Sequence, residues 1–342
     1  MVFTTPAIRA LRHHYPDAFI SYVVEPLAAP VVRASPYIDD LIVAPRANVI
    51  ADLALGRRLR AQRYDVAVDF HSGPRGSLLT WLSGAARRIG YAVPGRGWMY
   101  TTRVARPREL RPRHAVLNQW DLIGTLGIAA PDPSSCPVEM PADPAAVDRV
   151  ADRLARAGVD PGECLVVVHV SAGNPFRRWP QSAFGSLVAA LASREARTRV
   201  IVTSGPSERA AVDQVIAEAR AALADAWRER VVAAGDFSLA ELRALLDRAA
   251  LFIGGDSGPM HVAATSGVPI VAVYGPTLPV RSGPWRDPAL VTESVETSGL
   301  PCRPCDQRVC APGDFRCLTR IAPDDVMRAA EHALARARQR VD

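Results

Sequence analysis

Lysine is missing from this 342-residue chain: arginine supplies all 41 of its Lys+Arg side chains. A motif that ordinarily carries lysine must therefore be sought with arginine in its place. Aromatic residues are few, at 6%. No apolar run approaches the roughly 18–20 residues of a membrane-spanning helix. No basic segment followed by an apolar stretch opens the chain, so no secretory leader is legible and the expected location is the cytoplasm. Zinc-finger spacing, aromatic-interleaved basic tracts and RNA-binding signatures are also lacking, which argues against a nucleic-acid partner. No internal repeat is evident.

What is present is ordinary for a globular protein with a sizeable core: 49% hydrophobic and 22% charged residues. At about 150 residues per domain the length suggests two domains. Net charge is +6, and the excess is uneven. Arg87, Arg88, Arg96, Arg103, Arg106, Arg108, Arg111 and Arg113 face Glu109 alone. Two readings stand for this run: a solvated arginine-rich face, or a patch for an anionic acceptor or the inner-membrane surface.

Strand-like and helix-like segments alternate along the chain. Phe19 to Val24 and Asp65 to Phe70 read as strands; Thr5 to His14 and Asp52 to Arg63 have helical apolar spacing. The Pro/Ser/Asp-rich stretch from Ala129 to Pro144 reads as a linker. A helix is expected from Asp143 to Ala157. Leu165 to Val170 is almost continuously apolar, as in a parallel strand covered on both faces. Further units follow: a strand from Arg199 to Thr203, a helix from Glu208 to Ala224, and a helix from Ser238 to Ala249. The last opens on a Ser238–Glu241 capping box. A helical, Arg-rich tail spans Asp324 to Arg340. The expected architecture is α/β: two doubly wound domains facing a cleft, residues 1–140 and 141–322, with a terminal helix at 323–342 that could cross back to the first domain.

The segment Phe252 to Thr277, FIGGDSGPMHVAATSGVPIVAVYGPT, concentrates the chemistry. It reads as a strand end, a tight turn at Gly254-Gly255-Asp256-Ser257-Gly258, a helix, a second strand and a Gly275-Pro276-Thr277 turn. Such a turn offers free N–H groups and the positive end of a helix dipole, and glycines let a phosphate approach the backbone. His261 lies one turn beyond Ser257 on the same face. Ligands of open α/β sheets bind at the carboxyl ends of such strands. Ser171 and Gly173 after one strand, and Ser204-Gly205-Pro206 after the next, belong to the same crevice.

The combination D-S-G-P-M-H-x-A-A-x-x-G-x-P-x-x-x-x-Y-G-P-T resembles the bacterial heptosyltransferases of lipopolysaccharide core synthesis, glycosyltransferase family 9, with a pattern nearest heptosyltransferase II-like members. Thr4-Thr5-Pro6-Ala7 with Tyr15-Pro16 resembles the family's first helix. Arg177-Arg178-Trp179-Pro180 is similar to its K-R-W-P segment with arginine for lysine. The resemblance implies a GT-B glycosyltransferase, inverting and metal-independent, that moves heptose from ADP-heptose to a lipid A-core acceptor. It implies Arg177 and Asp256 as catalytic groups. Ser171, Gly173, Ser204, Gly205, Ser257, Gly258, Met260, His261, Gly275 and Thr277 would bind the nucleotide sugar. Thr5, Asp69, His71 and Arg75 would lie on the acceptor side. Some have plainer alternatives: a surface arginine for Arg177, a helix cap for Asp256, a satisfied helix histidine for His261, strand-end polarity for Asp69, His71 and Arg75. No cofactor is expected. A nucleotide-sugar 2-epimerase and a non-catalytic nucleotide-sugar-binding protein are the competing functions.

The chain opens at its first helix, and the family's segment before T-T-P-A ends in Gly-Asp, whose aspartate is the proposed base. An apolar strand ending in Gly-Asp is therefore expected upstream of Met1, and no residue of the chain is assigned as that base. Cys302, Cys305, Cys310 and Cys317 read C-x2-C-x4-C-x6-C, a spacing open to zinc or a metal cluster or to a reduced structural loop. No Asp-x-Asp turn in a promising context suggests another metal site.

Overall fold

The structure, a computed structural model, describes residues 1–46, 48–107, 112–205 and 208–339. Arg108, Glu109 and Arg111 of the basic run, Pro206 of the second crevice loop and Arg340 of the tail lie outside the described residues. The chain divides into two compact units, Phe3–Asp132 and Pro133–Asp342. The boundary falls inside the Pro-rich stretch. Residues 133–140 belong to the second unit, where Val138 N–H donates to Trp285 O at 2.9 Å and Trp285 Nε1 donates to Cys136 O at 2.8 Å.

Unit 1 holds β1 (Ser21–Val24), β2 (Asp40–Val43), β3 (Val66–Val68), β4 (Arg87–Tyr91) and β5 (Thr102–Val104). They form two parallel sheets, β1-β2 and β3-β4-β5. The basic run is thus more than a surface patch. Part of it builds β4 and β5, and its arginines tie loops down: Arg88 Nε donates to Met99 O at 2.9 Å, and Arg113 pairs with Asp121. Arg103 and Arg106 are exposed. Arginine-rich segments of three to five residues are too short and too polar for an alternation to mark a strand in a sequence, so β4 and β5 are not legible there.

Unit 2 carries one six-stranded parallel sheet: β6 (Cys164–His169), β7 (Thr198–Thr203), β8 (Val231–Val232), β9 (Leu251–Gly255), β10 (Ile270–Tyr274) and β11 (Thr292–Glu296). Its order is β8-β7-β6-β9-β10-β11. The chain winds outward from β6 to β8, then restarts at β9 on the other side of β6. The switch point of this doubly wound sheet, where its ligand crevice opens, lies between β6 and β9. Val166, Val167 and Val168 of β6 are all buried, because helices cover both faces.

The Ser238–Glu241 capping box forms as expected: Glu241 N–H donates to Ser238 Oγ at 3.3 Å, and Ser238 N–H to Glu241 Oε2 at 2.9 Å. The terminal helix, Pro323–Arg338, has its apolar face, Val326, Ala330, Ala333 and Leu334, inside the core of unit 2. No helix among the described residues is long and apolar enough to cross a membrane.

Candidate functional site

Four loops leave the carboxyl ends of adjacent strands in unit 2. Ser171 and Gly173 follow β6, Ser204 and Gly205 follow β7, Asp256, Ser257 and Gly258 follow β9, and Gly275 to Thr277 follow β10. Because β10, β9, β6 and β7 are neighbours in the sheet, these loops line one edge in that order.

Asp256 is the centre of the first cluster. It is 2% exposed. Its Oδ2 accepts from Thr277 Oγ1 at 2.6 Å and pairs with Arg177 Nη1 at 3.2 Å. His261 Nε2 stands 3.7 Å from Oδ1, beyond hydrogen-bond reach. Oδ1 of Asp256 and Oγ of Ser257 are buried with no hydrogen-bond partner among the described residues. Buried polar atoms are nearly always bonded, and two neighbouring exceptions at a strand-end turn mark a place for a polar ligand. A Cβ on Gly258 or Gly173 would meet nothing within 4 Å, so both loops border open space.

Arg177 ends the short turn Pro175–Arg177 and is part-exposed. Nε donates to Gln307 Oε1 at 2.7 Å, and Nη1 reaches Asp256 O at 3.4 Å. Nη2 has no partner among the described residues, so the guanidinium is anchored on one side and open on the other. A Cβ at position 255 would sit 3.3 Å from Arg177 O, so Gly255 lets the end of β9 come up against this turn. Below it, Arg178 Nε holds Ala172 O at 2.9 Å and Arg178 pairs with Glu208 at 2.7 Å. Trp179 is buried in the core.

The second cluster joins the loops after β6 and β7 through a residue not singled out in the sequence as functional. His169 Nδ1 bonds Thr203 Oγ1 at 3.0 Å, and Nε2 bonds Ser171 Oγ at 3.0 Å. Ser171 Oγ also accepts from Gly205 N–H at 2.8 Å. The only hint in the sequence was a histidine closing an apolar strand. Burial pushes the His169 pKa down from 6.5 to about 4. A depressed imidazole pKa means that protonation favours the unfolded chain. The stabilisation is therefore whole above pH 6.5 and is lost as pH falls toward 4. The wild type should lose on the order of 3 kcal/mol over that window relative to His169→Gln, measured as denaturant midpoints against pH. Parallel pH profiles for the two chains would contradict this.

Not every expected site residue lies at the open edge. Met260 is fully buried, its sulfur 3.6 Å from the Tyr274 hydroxyl. Its side chain packs the helix Gly258–Ala263 onto β10 and is not presented to a ligand. Gly275 makes room for Leu318, whose Cγ would lie 2.6 Å from an added Cβ. In unit 1, Asp69 is buried and accepts from His71 N–H at 3.0 Å, Ser72 N–H at 2.8 Å and Tyr100 Oη at 2.7 Å. Burial first of all raises the Tyr100 pKa to about 12, so the phenol keeps the proton it donates. Arg75 spends its donors on Asp52 at 2.8 Å and on Ala44 O and Pro45 O, each at 3.0 Å. These two side chains shape the loop 69–75, and His71 is the exposed member of that set. Thr5 is buried at the start of the helix Thr5–His14. The four clustered cysteines are free thiols, with Cys317 buried and its pKa raised mainly by that burial. Among the described residues no group of three or more His, Cys, Asp or Glu side chains is arranged to hold a metal ion.

A doubly wound six-stranded parallel sheet, in one chain with a second parallel α/β unit, is the architecture expected of the GT-B fold. Residues 53–312 match the profile described as Glycosyltransferase family 9 (heptosyltransferase), and the chain belongs to that family. It is 28% identical over 319 residues to lipopolysaccharide heptosyltransferase 3 of Escherichia coli, covering 90% of this chain and 89% of the relative. Among solved structures it is similar to a glycosyl transferase family 9 protein of Veillonella parvula, with TM-score 0.80, 23% identity, and coverage of 98% and 93%. It also resembles the ADP-heptose lipopolysaccharide heptosyltransferase II of E. coli, with TM-score 0.75, 18% identity, and coverage of 99% and 96%. An E. coli heptosyltransferase solved with ADP aligns at TM-score 0.64 and 19% identity over 97% of this chain and 95% of that one.

Proposed function

We propose that this chain transfers heptose from ADP-heptose to an inner-core acceptor of lipopolysaccharide. The observation that carries the reading is the Asp256–Arg177–Thr277 cluster, with a guanidinium edge uncommitted among the described residues beside two buried polar atoms that have no hydrogen-bond partner among them. A departing ADP develops charge on its diphosphate. A fixed guanidinium and backbone N–H groups at the strand ends neutralise that charge without reorganising. Asp256 is an acceptor-only group when ionised, and its Oδ1, buried with no hydrogen-bond partner among the described residues, suits a sugar hydroxyl that displaces its present neighbours. With Arg177 as the leaving-group cation, transfer needs no metal, and the reaction inverts the anomeric centre.

On the acceptor unit, exposed Trp81 and Trp98 stack edge to face at 5.6 Å. With exposed Arg103 and Arg106 in the same unit, they suit peripheral contact with an anionic membrane surface, where aromatic and basic side chains bind together.

The test is incubation of the full chain with ADP-heptose and defined core acceptors in EDTA, followed by mass spectrometry. The expected product carries one added heptose. Absence of product across heptose-deficient cores, with ADP-heptose intact, would overturn the reading.

A further inference from the structure

The cysteine-rich segment 302–318 is the part of unit 2 that the proposed chemistry leaves without a role. It lies across two of the site's loops. On one side, Cys305 N–H donates to Pro276 O at 3.2 Å, and Arg303 Nη2 donates to Thr277 O at 2.8 Å and Glu296 Oε2 at 2.6 Å. Leu318 packs on Gly275. On the other side, Phe315 meets Phe176 edge to face at 5.3 Å. The segment is thus a strap pinned both to the turn after β10 and to the turn that carries Arg177.

Between these anchors stands Gln307. Its backbone is left-handed, with φ 59°, a conformation glycine adopts at less cost. The side chain found there has a use. Its single Oε1 accepts from Arg177 Nε at 2.7 Å and from Asn174 Nδ2 at 2.9 Å. Asn174 is itself held, its Oδ1 accepting from Phe176 N–H at 3.0 Å. With Nε fixed by Gln307 and Nη1 by Asp256, the plane of the guanidinium is determined and Nη2 is left for a ligand. A neutral acceptor at position 307 orients the cation without setting a second carboxylate against it beside Asp256.

We propose that Gln307 is a positioning residue for Arg177: the strap sets the orientation of the cation that receives the diphosphate. The inference rests on the function proposed above. Its effect on the transfer passes through Arg177, while the bond to Asn174 holds the turn, so the catalytic loss should vanish when Arg177 is removed. Gln307→Ala and the volume-keeping Gln307→Met should each lower kcat for heptose transfer roughly tenfold. The KM for the acceptor should stay unchanged and Tm should move by no more than about 2 °C. In an Arg177→Ala background, the same substitutions should cost less than about twofold further, as expected for residues that act as one unit. Equal losses in both backgrounds, or no loss in either, would overturn the proposal. If the wild type transfers no heptose, the proposed function fails separately. The wild type, the two Gln307 variants, Arg177→Ala and the two double variants are then compared by their affinity for ADP in calorimetry. There, non-additive losses support Gln307 as a positioning residue, and additive losses or none overturn it.

Discussion

Arg177→Ala should lower kcat for heptose transfer on the order of 10²-fold, the usual effect of removing one preorganised electrostatic stabiliser. The loss should fall on kcat more than on the acceptor KM, because the charge matters most as the diphosphate departs. The structure adds a second consequence. Asp256 is nearly fully buried, and Arg177 is the cation it pairs with. Removing the guanidinium leaves a carboxylate in the interior with Thr277 alone as a short-range donor. Arg177→Lys should recover only part of the activity. An ammonium keeps the charge but has no Nε to meet Gln307 while a second donor meets Asp256. Near-normal turnover of Arg177→Ala would make this arginine a surface residue and move leaving-group stabilisation elsewhere.

Trp179→Ala should destabilise unit 2 by about 3–5 kcal/mol, the range for deleting a buried tryptophan. Trp179 is 2% exposed in the main core cluster. It stacks edge to face on Phe184 at 4.8 Å, and its indole N–H donates to Ile321 O at 3.1 Å. The substitution leaves a cavity and an unbonded carbonyl next to the terminal helix. Against a total stability of about 5–15 kcal/mol, such a loss is plain in a denaturant titration. Trp179 stands two residues beyond Arg177, so it is also the root of the turn that presents the guanidinium. A loss under about 1 kcal/mol would mean that the turn is held by the strap and by Arg178 instead.

How far the sequence carried differs from element to element. β6 was legible because four apolar residues in a row between polar ends leave little but a buried parallel strand. The Ser238–Glu241 cap was legible because capping is local chemistry. The strand-end turn at Asp256 showed itself through glycines flanking polar residues where a strand gives way to a helix. What was not legible depends on pairing across the fold. Gln307 lies 130 residues from Arg177 in the chain, and nothing in the neighbourhood of either names the other. His169 passed as one more strand residue because its role is set by Thr203 and Ser171, which only the sheet register brings together. Met260 matched the motif yet faces inward, since a motif gives residue order and not the rotation of a six-residue helix. Asp69 and Arg75 were read as acceptor-side groups; Asp69 accepts from two N–H groups of its own loop and from Tyr100, and Arg75 donates to Asp52, Ala44 and Pro45, and the partners distant in the chain are not visible in the sequence.

The most direct measurement is a crystal structure of the full chain with ADP. The diphosphate is expected at the carboxyl ends of β6, β9 and β10. Arg177 Nη2 should lie within about 3.2 Å of a phosphate oxygen, and Ser257 Oγ should have gained a partner. ADP bound away from these strand ends, or bound there with Arg177 still turned away from the phosphates, would contradict this expectation.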